Sequence, residues 1–72
     1  MNESETKLLR MAQEIRQFFR RRDDAAEATA DHLRQFWAPA MRAEFRAAVA
    51  RDGDAMPEEI RAIAQALAAL ET

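Results

Sequence analysis

Only three residues in this chain readily interrupt a helix: Pro39, Gly53 and Pro57. Between them, apolar residues recur at three- and four-residue steps, the period of an amphipathic helix. Ala is abundant, Tyr is absent, and no stretch alternates as a strand would. The pattern predicts an all-α fold, a small bundle of three to four short helices joined by tight connections. At 72 residues, the chain has room for one helical domain, which we take to span residues 1–72.

The stripes place the helices. Residues 4–21 carry Leu8, Met11, Ala12, Ile15, Phe18 and Phe19 on one side. Asn2 or Ser4 is positioned to cap the start, and "RRRDD" at residues 20–24 reads as the end. The second helix runs from Ala25 to Trp37, with Ala26, Ala30, Leu33, Phe36 and Trp37 as its apolar face. Asp24 and Glu27 have capping-box spacing at its start. Pro39 disfavours helical backbone at Ala38 and suits the first position of a new helix. That third helix reaches about Arg51 on a stripe of Met41, Phe45, Ala48 and Val49, and Gly53 is its natural stop. The fourth starts near Pro57, with acids in its first turn and Ile60, Ile63, Ala64, Leu67 and Leu70 as its stripe.

A chain this short buries only about 60% of the surface its unfolded form exposes. Without Cys, it has neither a disulfide nor a thiolate metal site to compensate. A single His makes no metal cluster. The remaining staple is another protein or a second copy of the chain.

Composition narrows the function classes. The formal net charge is −2 and the pI is near 5.3, against a dedicated nucleic-acid binder. No apolar run approaches the roughly 20 residues that span a bilayer. The N-terminus, "MNESETKLLR", lacks the basic and apolar regions of a secretion signal. A cytoplasmic location is the expectation.

Candidate sites resolve mostly into structure. His32 has adjacent Asp31, but neighbouring helical side chains diverge by about 100°, and there is no Cys to activate. The acidic pairs Asp23/Asp24, Asp52/Asp54 and Glu58/Glu59 fall at predicted helix ends, where dipole and capping effects account for them. "RDGDAMPEE" lacks the alternating oxygen ligands of a calcium loop. "RQFFRRR", residues 16–22, mixes cations with aromatics as nucleic-acid contacts require. However, Phe18 and Phe19 belong to the apolar stripe, and the arginines lie off it. A basic amphipathic helix on a membrane would need the same face that the other helices need. What remains is "FWAPAMR", which places Trp37, Met41 and Arg42 around a helix break. Trp, Met and Arg are enriched at interfaces, although core packing accounts equally well for Phe36 and Trp37.

Two stretches carry a family resemblance. "KLLRMAQEIRQFF", residues 7–19, and "ADHLRQFWAPAMR", residues 30–42, resemble the delta subunit of molybdenum-containing, NAD-dependent formate dehydrogenases. The match falls on Lys7, Leu8, Met11, Ala12, Ile15, Phe18 and Phe19, then on Ala30, Asp31, His32, Phe36, Trp37, Pro39, Met41 and Arg42. It extends over roughly residues 6–52 at the family's spacing. Ala38 and Ala40 depart from the Asp and Arg usual around the proline, and the Gly-rich segment near the third helix's end is reduced to "DGDA".

The resemblance implies an accessory subunit without catalytic residues, cofactor or metal of its own. It would assemble or stabilise the complex by docking on the catalytic (alpha) subunit, which carries molybdenum and iron–sulfur centres. The expected contact residues are His32, Phe36, Trp37, Met41 and Arg42, with Arg20, Arg21 and Arg22 as a basic edge and Trp37 as the anchor. Neither nucleic acid nor membrane is an expected partner. The alternatives are a self-associating helical domain, a homodimer in isolation, and a basic-helix nucleic-acid adaptor.

Overall fold

The computed structural model describes residues 2–71. Four helices, α1 (Glu3–Phe18), α2 (Ala25–Phe36), α3 (Pro39–Asp52) and α4 (Glu58–Leu70), enclose one apolar core within 30 × 23 × 20 Å. The expected all-α bundle is therefore observed. Among the described residues, no helix is long and apolar enough to cross a membrane.

α1 begins with a reciprocal capping box. The Glu5 amide donates to Asn2 Oδ1 at 2.8 Å, and the Asn2 amide donates to Glu5 Oε1 at 3.1 Å, satisfying two donors that a helix start leaves unpaired. Glu5 also accepts hydrogen bonds from Arg51 Nη1 and Nη2, at 2.9 and 3.0 Å, so one carboxylate ties the start of α1 to the end of α3.

Those hydrogen bonds, chiefly from Arg51 and then from the Asn2 amide, hold the Glu5 carboxyl below its ordinary pKa against the opposing effect of burial. A depressed carboxylate pKa contributes stability above the unfolded value and loses it as pH falls through the folded value. We therefore expect Glu5→Gln to be less stable than wild type at neutral pH, and the two melting temperatures to converge in acid. A constant gap across a pH series of thermal melts would contradict the assignment.

α1 stops three residues short of the expected end. Beyond Phe19 the sequence offers only Arg and Asp up to Ala25, so nothing repays extending the helix. Phe19 leaves helical geometry as the C-cap, and Arg20 Nη1 donates to the Gln17 carbonyl at 3.1 Å. The proposed capping box at Asp24 does not form. Its carboxylate instead accepts two hydrogen bonds from Arg22, at 2.7 and 2.8 Å.

The α2–α3 elbow follows the proline logic. Trp37 and Ala38 are both extended, and Pro39 opens α3. Gly53 ends it at φ 49°, a positive value that suits glycine. A 3₁₀ turn over Gly53–Ala55 leads to Met56, a core residue that the stripe pattern missed. α2 and α4 pack most extensively of all the helix pairs. Leu33 meets this core with Ile60, Ile63 and Leu67, all fully or almost fully buried.

Candidate functional site: an exposed aromatic face

The apolar stripes are wider than the core they feed. Leu8, Ala12, Ala30, Leu33 and Trp37 are buried, but Phe18 is 84% exposed and Phe36 70% exposed. The turn after α1 brings these leftover rings together. Phe18 packs edge-on against Phe19, with centroids 5.6 Å apart. Phe19 faces His32 at 6.5 Å, and His32 faces Phe36 at 4.7 Å. The Arg22 guanidinium lies 5.7 Å from the Phe19 ring centre, within cation–π range. The result is a continuous aromatic face across the end of α1 and the outer side of α2.

An open hollow of about 410 Å³ sits in this face, lined by Met11, Glu14, Ile15, Phe18, Phe19 and His32. Its volume falls within the range of small-molecule sites, roughly 300–1,000 Å³, but such sites enclose their ligand and converge several polar groups on it. This one is open and mostly apolar, a geometry that suits a protein side chain better than a metabolite. Burying one exposed Phe would contribute about 1.5–3 kcal/mol, so two such rings facing water are a costly surface for a small domain. Among the described residues, no group of three or more His, Asp or Glu side chains is placed to hold a metal ion.

The expected contact residues divide into two sets. His32, Phe36 and Arg22 belong to the aromatic face, and Arg20 and Arg21 stand exposed beside it in the α1–α2 turn. Trp37, Met41 and Arg42 lie elsewhere. Trp37 is only 7% exposed and meets Phe45 edge-on at 6.0 Å inside the core, so the side chain expected as the anchor is internal. Met41 is half-buried against the same core.

Arg42 acts as a clamp at the elbow. Its Nη1 donates to the carbonyls of Arg34 and Trp37 at 2.7 and 3.1 Å, supplying donors to the end of α2. Its Nε pairs with Glu71 at 2.6 Å, and Glu71 also holds Arg46 at 2.8 Å. Phe18, Phe19, Met11 and Ile15 were assigned from the sequence to the apolar stripe of α1 and not to the partner contact. The signal pointing to a surface role was the excess of bulky residues on α1 just before an entirely polar turn.

Comparison with known families settles the resemblance. Residues 7–67 match the family model described as NADH-dependant formate dehydrogenase delta subunit FdsD. The chain belongs to this family. No curated protein and no solved structure matches it. The match takes in every residue of the aromatic face, together with the Trp37–Arg42 elbow.

Proposed function

We propose that this chain is a non-catalytic accessory subunit of an NAD-dependent formate dehydrogenase. It acts in the cytoplasm and docks on the molybdenum-containing catalytic subunit, assembling or stabilising the complex. The observation that carries this reading is the uncovered Phe18–Phe19–His32–Phe36 face on a chain whose family is named for a dehydrogenase subunit. Desolvated aromatic residues are the usual energetic centre of a protein interface. In this scheme Phe36 and His32 touch the partner, and Arg20, Arg21 and Arg22 orient it. Trp37, Met41 and Arg42 serve docking indirectly, by fixing the elbow that aims the end of α2.

Co-expression of the dehydrogenase subunits with and without this chain tests the role. We expect omission to reduce the yield of assembled complex while formate oxidation per intact complex stays unchanged. Full assembly without the chain, with the deficit confined to turnover, would exclude an assembly role.

A further inference from the structure

The next step rests on the docking reading above and concerns the chemistry of what docks. We infer that the aromatic face receives an apolar segment of the catalytic subunit flanked by carboxylates, which meet Arg20 and Arg21.

The apolar part follows from the hollow, which Phe18 lines, and from the exposed Phe36 ring packed on His32 beside it. Phe18 and Phe36 stand free on either side of Phe19 and His32. This arrangement takes aliphatic or aromatic side chains projecting from a single segment. Glu14 is the one acidic side chain lining the hollow, so a densely basic segment is not what the hollow itself selects.

The acidic part follows from the charge balance at one edge. Arg16, Arg22, Arg42, Arg46, Arg51 and Arg61 each make an ion pair within the chain. Among the described residues, Lys7, Arg10, Arg20, Arg21 and Arg34 make none, and of these Arg20 and Arg21 directly follow the Phe18–Phe19 pair and are exposed. Arg20 gives one Nη1 hydrogen bond to the Gln17 carbonyl. Their charge complements the negative end of α1, yet each guanidinium keeps most of its five donors in a fork that fits a carboxylate.

Along α2, Glu27 and Asp31 line a second hollow with Phe19, Arg22 and Phe36, and Asp31 accepts a hydrogen bond from Gln35 at 2.6 Å. The face thus carries free cations at Arg20 and Arg21, next to the Phe18–Phe19 pair, and carboxylates at Glu27 and Asp31 along α2, while Arg22 and Asp24 are paired with each other. A partner segment with acids on one flank fits this polarity in one direction only, and complementary potentials of this kind set register and association rate.

The test uses the full-length chain and the purified holo catalytic subunit. Wild type, Phe18→Ala/Phe36→Ala and Arg20→Glu/Arg21→Glu are compared by surface plasmon resonance at low and high salt, with circular dichroism melts as folding controls. The double Phe variant, folded like wild type because both rings are exposed, is expected to bind roughly 30-fold or more weakly. The charge-reversed variant is expected to associate on the order of ten-fold more slowly at low salt and to lose the salt dependence seen for wild type.

A folded Phe variant that binds with wild-type affinity overturns the face. Unchanged association by the charge-reversed variant overturns the acidic flank. A wild-type dimer in sedimentation that the Phe substitutions dissociate, and that the catalytic subunit does not compete away, assigns the face to a second copy and overturns the inference. If wild type itself fails to bind the catalytic subunit, the docking reading falls as well, so the two failures are distinguishable.

Discussion

Replacing Trp37 with Ala is expected to lower the melting temperature by on the order of 10–40 °C. Truncating a buried Trp costs about 3–5 kcal/mol, because the lost transfer energy is joined by the cost of the cavity left behind. A domain of this size shifts its melting temperature by roughly 4–8 °C per kcal/mol. The whole fold is worth only about 4–11 kcal/mol at typical values per residue, so the variant is partly or wholly unfolded at physiological temperature. Trp37 has few ways to be compensated. It is buried against Phe45, and it stands at the elbow where α2 ends and Arg42 collects two carbonyls. Loss of partner binding by this variant, taken alone, would therefore report unfolding rather than a broken contact. A melt matching wild type would show that Trp37 is not part of the core.

Replacing Ile63 with Ala should rank next, at about 2–5 kcal/mol. Ile63 is fully buried on α4 and belongs to the same core as Leu33, on the most closely packed pair of helices. Neighbours on rigid helices collapse poorly into a new void, which favours the upper part of that range. In urea, the midpoint should fall while the slope stays constant, the signature of lost stability without a change in the surface exposed on unfolding. A reduced slope would instead mean that the variant's native state is already loosened. An unchanged midpoint would show that the α2–α4 seam can close around the missing atoms.

Helix number and connections were legible because their signals are local. Pro39 at the start of α3, Gly53 at its end and Pro57 before α4 act on the backbone of their immediate neighbours, and each lies where the chain turns. The end of α1 was harder to read, since Arg20 and Arg21 are good helix formers and only the absence of anything to bury stops the helix. Side-chain fate was least legible. Periodicity says which residues share a face, but not how far the neighbouring helices extend to cover it. Phe18 and Leu8 lie on the same stripe, one exposed and the other buried. Phe36 and Trp37 were grouped as one cluster because they are adjacent. On a helix, adjacency separates them by about 100°, and the core takes only Trp37.

The geometry of that pair limits how this segment can change over time. Removing or adding one residue within α2 rotates everything after it by about 100° about the helix axis. An insertion would move Phe36 into the buried position of Trp37 and Trp37 into the exposed position of Ala38, whereas a deletion would move Trp37 into the exposed position of Phe36, so either one takes Trp37 out of the core. A substitution at His32 or Phe36 alters one contact, whereas an insertion or deletion exchanges inside for outside. The length of α2 is therefore constrained more tightly than the identity of any single exposed residue on it.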